Sequence, residues 1–300
     1  MNRYAISAAL LTFGGALAWM PVADPVRRTG VDGRSAMRAA HGPNGTPRNI
    51  AYTVATVVHP AHVEGTIRWH DAIPTRTALT VPPAIAQSQR ACGASTPDFA
   101  LAVDPPSHGL SNAVIYLADI ARGAAPAAAP ITIQQEHCSF GPHVVATTVG
   151  GTLRIGNRDF GVLHNLHGYY GLAGDDAMFN LGSPSGITVA RAIDREGIHR
   201  IVCDAGHTWM LLYVHAFDHP YYAVTEANGH YRIDNIPPGT YRLHVWHEGW
   251  TANGTDAHGR PAWSAPVEAE RSITVAADGA ITADAEYTAA ATAAFAPAHR

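Results

Sequence analysis

Short runs of alternating hydrophobic and polar residues follow one another along this sequence from residue 51 onwards. Examples are VEGTIRW (63–69), TLRIGN (152–157) and YRLHVW (241–246), with Gly, Pro, Asn and Asp between the runs. No long segment carries hydrophobic residues at the spacing of an amphipathic helix. The alternation and the frequent turn residues predict an all-β protein built as β-sandwiches.

Residues 203–210, CDAGHTWM, place a thiol, an imidazole and a thioether at C-x3-H-x2-M spacing. The flanking runs 197–203 and 209–216 are predicted strands, so the three side chains lie on one tight loop that Gly206 allows to turn. His164, in VLHNLH, is expected to join them from another strand end.

Cys203, His164, His207 and Met210 together supply a thiolate, two imidazoles and a thioether. This is the donor set of a trigonal copper site with a weak axial methionine, in which soft sulfur suits Cu(I) and imidazole suits both oxidation states. The alternative is that Cys203 and Met210 are ordinary core residues.

The N-terminus has the pattern of an export signal, with Arg3 before the apolar run 5–18 and a small-x-small cleavage site at its end. We therefore predict a signal peptide over residues 1–18, a flexible linker over 19–50 and a periplasmic or secreted protein. An uncleaved membrane anchor is the alternative, although the run is short and glycine-broken for a spanning helix.

Export sets the redox context of the three cysteines. In an oxidising compartment two cysteines are expected to pair. Cys92 and Cys138 lie outside the loop of residues 203–210, so we predict that they form a disulfide. Cys203 is then the odd thiol, and a metal ion would hold it as thiolate.

Composition limits the remaining function classes. With 47% hydrophobic and 15% charged residues the chain can form a sizeable core, and a formal charge of −4 does not indicate nucleic-acid binding. The sequence has no phosphate-binding loop, no G-x-S-x-G motif, no H-E-x-x-H motif and no haem-attachment motif.

Residues 131–217 resemble the cupredoxins, the plastocyanin-like copper proteins. The matching segments are VGGTLRIGNRD, the pair His164-Asn165, and the Cys–His–Met loop before a final strand. The resemblance implies a Greek-key β-sandwich that binds copper through His164, Cys203, His207 and Met210. The binuclear loop of cytochrome oxidase subunit II has a further cysteine where this chain has His199, so we expect one copper ion.

Residues 218–290 resemble the carboxypeptidase regulatory-like domain, a small Ig/transthyretin-like β-sandwich, through the motif TEANGHYRIDNIPPGTYRLHVWHEG. That family's opening strands resemble runs within residues 51–130. This N-terminal β segment is therefore expected to pair with 219–290 around an inserted copper domain, and 291–300 to form a loose tail. Chains that join both modules resemble exported proteins of the methylamine-utilisation type.

Together these features predict an exported mononuclear copper protein that transfers one electron to a redox partner protein in the periplasm, with no membrane span after signal cleavage and no catalytic residues. Two alternatives are open: a periplasmic protein- or polysaccharide-binding β-module with a storage or vestigial metal site, and a copper enzyme with an open coordination position. His143 and His167 are candidates for an additional ligand or a hydrogen-bonding partner of the site. Their alternative is a role as solvated or strand histidines. The oligomeric state is not predicted.

Overall fold

A computed structural model of the chain describes residues 51–76, 78–81, 90–127, 129–174 and 176–297. The predicted signal peptide and linker lie outside these ranges. The regular secondary structure of the described chain is almost wholly β-strand, which confirms the all-β prediction, and residues 90–92 are helical. Within the described ranges, no helix is long and apolar enough to cross a membrane.

The strands are numbered in chain order. The first six precede residue 131: β1 Thr53–Val54, β2 Ala61–Trp69, β3 Leu79–Thr80, β4 Ser95–Thr96, β5 Val114–Ala118 and β6 Arg122–Gly123. Nine follow in the middle of the chain: β7 Ile131–Glu136, β8 Ser139–Gly141, β9 Val144–Thr148, β10 Thr152–Asn157, β11 His164–Tyr170, β12 Asp176–Ser183, β13 Thr188–Ala192, β14 Gly197–Val202 and β15 Leu211–Phe217. The last nine are β16 Tyr222–Val224, β17 His230–Ile236, β18 Gly239–His247, β19 Ala252–Thr255, β20 Pro261–Trp263, β21 Val267–Val275, β22 Ala280–Thr282, β23 Ala285–Thr288 and β24 Thr292–Phe295.

The middle strands form the first sandwich. One sheet has the order β13-β10-β7-β8 and the other the order β12-β11-β14-β15-β9. Side chains of both sheets meet in one core, among them Ile133 and Ile155 from the first sheet and Leu166, Ile201 and Leu212 from the second. Because β14 and β15 lie between two covering layers, their residues are almost all buried and lack a polar face.

The second sandwich combines strands from both sides of the first. One sheet has the order β16-β5-β18-β21, and the other has the order β17-β2-β23-β24 with β22 also on β2. In β2 every second side chain is buried, as its alternating sequence requires. Strands β2 and β5, which precede residue 131, therefore share their sheets with strands that follow residue 217.

A third apolar cluster joins the two sandwiches. Tyr116 and Trp246 from the β5–β18 sheet pack with Val144, Ile198 and Phe217 from the β14–β15–β9 side of the first sandwich. The first sandwich is therefore covered on the outer face of its five-stranded sheet, opposite its own core.

Several local predictions are wrong. Residues 144–157 contain two short runs separated by Gly150-Gly151, a pattern typical of a hairpin or a strand pair, but β9 and β10 lie in different sheets. The chain crosses between the sheets at Gly150, whose φ is 87°. Residues 99–103, FALAV, have a composition that predicts a strand, but they form none, and only Val103 makes an isolated bridge. Residues of the predicted tail form β24, which pairs with β23.

The segment 168–186 is rich in glycine, a composition that predicts a loop, but it contains β12, which pairs along its length with β11. Most of its side chains are exposed or half-buried because β12 is an edge strand of its sheet. A strand with so little buried surface does not carry the hydrophobic alternation from which strands are predicted.

Candidate metal centre

Strand ends bring the predicted ligands together. Strand β14 ends at Val202 immediately before Cys203, and β15 begins immediately after Met210. Between them the chain turns at Gly206, which has a φ of 89° that side chains with a Cβ rarely adopt. His164 is the first residue of β11, whose antiparallel partner is β14, so it lies beside the same end of the sheet.

Three donor atoms converge on one point. His164 Nδ1 is 3.2 Å from His207 Nδ1, and Cys203 Sγ is 3.8 Å and 3.5 Å from these two nitrogens. The point equidistant from all three lies about 2.0 Å from each, close to typical metal–imidazole and metal–thiolate bond lengths of about 2.0–2.3 Å. All three side chains are at most 1% exposed. The triangle therefore has the dimensions of a three-coordinate metal site.

Asp159 fixes the orientation of His164. Its carboxylate accepts a hydrogen bond from His164 Nε2 at 2.8 Å, and it also accepts the backbone N–H groups of His137 and Cys138. A carboxylate that serves three donors is ionised, so Nε2 carries a proton. Nδ1 faces the donor triangle, where a metal ion would take the place of the Nδ1 proton that is shared with Cys203 Sγ. Carboxylates commonly hold metal-binding histidines in this way. Burial opposes the ionisation of Asp159, but its hydrogen bonds outweigh burial and lower its pKa.

The surroundings of Cys203 favour the ionised form of its thiol, because they lower its pKa. Burial raises the pKa of a thiol, but hydrogen bonds from His164, His207 and the backbone N–H of Asn165 outweigh burial and lower the pKa of Cys203 to about 6. The Asn165 N–H lies 3.3 Å from Sγ. Cys203 is the free cysteine among the described residues, and its thiolate is the form that binds metals.

Met210 completes the predicted donor set. It is 1% exposed and belongs to the same buried cluster as Cys203. Its backbone N–H donates to the carbonyl of His207, which closes the loop of residues 203–210. Two imidazoles, one thiolate and a buried thioether fit copper better than the harder cations, which prefer oxygen donors.

His143 lies apart from this donor triangle. Its Nδ1 donates to the carbonyl of Leu211 at 3.0 Å, and its Nε2 is hydrogen-bonded to the buried carboxylate of Glu248 in the second sandwich. Burial lowers the pKa of an imidazole, but the charge of Glu248 outweighs burial and raises the pKa of His143. Both ring nitrogens are therefore engaged, and the contact of Nε2 with Glu248 links the two sandwiches.

His167 lies on the other face of β11 from His164, as alternation along a strand requires. Its Nδ1 is 2.6 Å from Asp204 Oδ2 and 2.8 Å from the hydroxyl of Tyr169. Arg260 of the second sandwich also contacts Asp204. His167 thus contacts the side chain of Asp204 and does not reach the donor triangle.

The disulfide between Cys92 and Cys138 lies against the site. Both sulfurs lie within 4.8 Å of a ring nitrogen of His207. The indole N–H of Trp209 donates to the carbonyl of Cys138 at 2.8 Å, and its ring packs edge-on against His207. The disulfide and Trp209 therefore both lie against His207, which is 1% exposed.

Sequence reasoning missed Asp159. It lies five residues before His164 in an unremarkable run, RDFGVLH, and no motif marks it. Asp159 is held by the backbone N–H groups of His137 and Cys138, which come from a separate part of the chain. The spacing of metal ligands alone does not reveal such a partner.

One family model matches part of the chain: domain II of polysaccharide lyase family 4, a fibronectin type III-like domain, over residues 214–283. This corrects the expected carboxypeptidase regulatory-like domain over residues 218–290. The turns that carried that resemblance, Asn228-Gly229 and Pro237-Pro238-Gly239, are common to small β-sandwiches, so they do not discriminate between such families. No curated protein matches the chain.

Part of the chain is similar to solved copper proteins. A purple cupredoxin from Nitrosopumilus maritimus is 18% identical, with 29% of this chain and 98% of that one covered and a TM-score of 0.25. Auracyanin A, a blue copper protein from Chloroflexus aurantiacus, is 14% identical, with 29% and 98% covered and a TM-score of 0.26. A copper-containing nitrite reductase from Thermus scotoductus is 20% identical, with 31% of this chain and 25% of that one covered and a TM-score of 0.27.

Proposed function

We propose that this chain binds one copper ion through His164 Nδ1, Cys203 Sγ and His207 Nδ1, with Met210 as a weak axial ligand, and that it transfers single electrons. The observation that carries the proposal is the buried triangle of donor atoms with edges of 3.2, 3.5 and 3.8 Å. The bound metal would supply the Cu(I)/Cu(II) couple.

The protein contributes a ligand geometry that changes little between the two oxidation states. His164 is held by Asp159, Cys203 by the N–H of Asn165, and His207 by packing against Trp209. Each ligand therefore has a neighbour that restrains it independently of the metal. Restrained ligands lower the structural reorganisation that accompanies the gain or loss of an electron, and low reorganisation favours fast transfer.

Burial favours electron transfer over catalysis at the metal. His164, Cys203, His207 and Met210 are each at most 1% exposed. A copper enzyme with an open coordination position needs space beside the metal for a substrate. Here the four donor side chains are buried among other protein atoms. Electrons can cross a few layers of packed atoms, whereas substrates cannot.

We further propose that the protein works after export and exchanges electrons with a periplasmic redox protein. The apolar run at residues 5–18 and the Cys92–Cys138 disulfide support export, because disulfides persist in oxidising compartments. The nearly neutral charge of −4 favours a protein partner over nucleic acid.

Copper loading followed by visible and electron-spin spectroscopy tests the metal site. The Cu(II) protein should show an intense thiolate-to-copper absorption band, which Cys203→Ser and His164→Gln should abolish or strongly alter. His167→Gln is the matched control, because this imidazole lies on the same strand but faces Asp204, and it should leave the band unchanged.

A colourless protein after loading would contradict the proposal and favour a β-module that binds a protein or polysaccharide. Equal loss of the band in the His164→Gln and His167→Gln proteins would contradict the assignment of ligands. Met210→Leu should keep the band and shift the reduction potential, because a weak axial ligand tunes the potential and not the thiolate bond.

A further inference from the structure

A second group of soft donor atoms lies beside the proposed copper site. The sulfurs of Cys92 and Cys138 and a ring nitrogen of His207 all lie within 4.8 Å of one another. Their side chains are 5%, 0% and 1% exposed, so the group is as buried as the first. His207 is the one residue that belongs to both groups.

The backbone around Cys138 holds its sulfur in place. Its N–H donates to Asp159 Oδ2 at 2.9 Å and its carbonyl accepts the indole N–H of Trp209 at 2.8 Å. His137 and Cys138 both have positive φ values, 52° and 55°, in a tight turn that joins β7 to β8. These hydrogen bonds do not involve the disulfide, so they would persist after its reduction and would keep Sγ beside His207.

The chemistry of this pair depends on its oxidation state. A dithiol reductant can transfer two electrons and two protons to the disulfide, which breaks the S–S bond, yields two thiols and leaves the reductant as its own disulfide. Two thiolates and one imidazole form a soft three-donor set that suits Cu(I). Metal binding would release the two thiol protons.

The geometry allows such a site with small movements. Donors at typical bond lengths of about 2.0–2.3 Å around one ion lie about 3.5–4 Å apart. The present separations of up to 4.8 Å need to shrink by about 1 Å or less, while the two sulfurs move apart from bonding distance. Side-chain rotation at Cys92 and Cys138 supplies movements of this size.

We propose that the dithiol form of this protein binds one Cu(I) ion through Cys92, Cys138 and His207. Its two sulfurs are not those of the donor triangle of the proposed function, but His207 belongs to both groups, so the test removes the triangle by replacing Cys203. In the disulfide form the two sulfurs are not available as thiolate ligands, and reduction makes them available to the ion.

The test compares the disulfide and dithiol forms of one polypeptide. The Cys203→Ala protein lacks the thiolate of the first site. It is prepared in two forms, one with the Cys92–Cys138 disulfide intact and one in which a phosphine has reduced this disulfide. The phosphine is then removed in the absence of oxygen. Each form is titrated with Cu(I) against a chromogenic Cu(I) chelator. The reduced form should retain one ion with two sulfur ligands by X-ray absorption, and the oxidised form none with sulfur ligands. The Cys92→Ser/Cys138→Ser/Cys203→Ala protein measures the Cu(I) that histidines bind without any cysteine. Its Cu(I) binding should equal that of the oxidised Cys203→Ala protein.

Wild-type protein provides the second measurement if the Cys203→Ala protein does not fold. By X-ray absorption, its dithiol form should bind Cu(I) through more sulfur ligands than its disulfide form, because Cys92 and Cys138 are then available. Equal Cu(I) binding by both forms of the Cys203→Ala protein, or equal sulfur ligation of Cu(I) by both forms of wild type, would overturn the proposal. The proposed function fails differently, by the absence of a Cys203-dependent copper band in the oxidised wild-type protein.

Discussion

Replacement of Asp159 by Asn tests whether the donor triangle is built by its supporting hydrogen bonds. The Asp159 side chain is 4% exposed and accepts N–H groups from His137 at 2.7 Å, Cys138 at 2.9 Å and His164 at 2.8 Å. Asn has nearly the same shape, but one of its two polar groups is a donor. Whichever way the amide is turned, at least one buried N–H faces another N–H.

The size of the effect follows from these contacts. A buried donor left without an acceptor costs about 1–3 kcal/mol of unfolding free energy. Loss of a partner that orients a metal-binding histidine typically lowers metal affinity about 10–100-fold. We therefore expect Asp159→Asn to lose about 1–3 kcal/mol of stability without metal and about 10–100-fold in copper affinity.

The contribution of Asp159 to the unfolding free energy depends on pH in a defined direction. The pKa of Asp159 is lowered in the folded state, so its contribution to stability is present above the ordinary carboxyl pKa of about 4 and is lost as the pH falls further. The unfolding free energy of the metal-free protein should therefore fall less steeply below about pH 4 in Asp159→Asn than in wild type.

Urea unfolding and copper-chelator competition measure these quantities. Asp176→Asn is the matched control, because Asp176 is 58% exposed in a surface ion pair with Arg195, and it should change stability by about 0.5 kcal/mol or less. If Asp159→Asn matches this control in both stability and copper affinity, the reasoning about the support of His164 is refuted.

Two further predictions concern the framework. Neither ring nitrogen of the fully buried His215 has a hydrogen-bond partner among the described residues, and burial, with a smaller effect of His199, lowers its pKa to about 3. This histidine costs stability as the pH falls from about 6.5 towards 3, so His215→Leu should move the acid-unfolding midpoint, followed by circular dichroism, to lower pH, and an unchanged midpoint would contradict this. A Cβ on Gly65 would lie 2.5 Å from the carbonyl oxygen of Ala283, so Gly65→Ala should lower the unfolding free energy by about 1–3 kcal/mol, whereas Gly182→Ala, with open space around it, should be nearly neutral by the same urea assay.

The sequence predicts those parts of the structure whose signal is local. Strand β2 alternates because one of its faces is buried, and the loop of residues 203–210 carries three donors within one turn. Strand β12 has no such signal, because an exposed edge strand needs no hydrophobic face. Residues 144–157 contain two strands, but whether adjacent strands pair or separate into different sheets depends on partners elsewhere in the chain, here β15 and β7.

The histidines show the same limit at the site itself. His143 and His167 are both near the ligands in sequence, and chemistry alone does not separate them from His164. Their partners do: Glu248 comes from the second sandwich and Asp204 from the loop, whereas Asp159 turns His164 towards Cys203. Which imidazole is available to a metal is thus decided by the acceptor that engages its other nitrogen.

Asp159 also links the two proposed metal-binding groups. A single oxygen, Oδ2, accepts both His164 Nε2 from the donor triangle and the backbone N–H of Cys138 from the disulfide turn. A shift of the turn therefore changes the hydrogen bond that orients His164, and a shift of His164 changes the support of the turn. Effects of changes at the disulfide and at His164 cannot be additive, since residues that share one hydrogen-bond acceptor are energetically coupled. The turn that holds the disulfide is consequently coupled to the donor triangle through Asp159, in addition to linking distant segments of the chain.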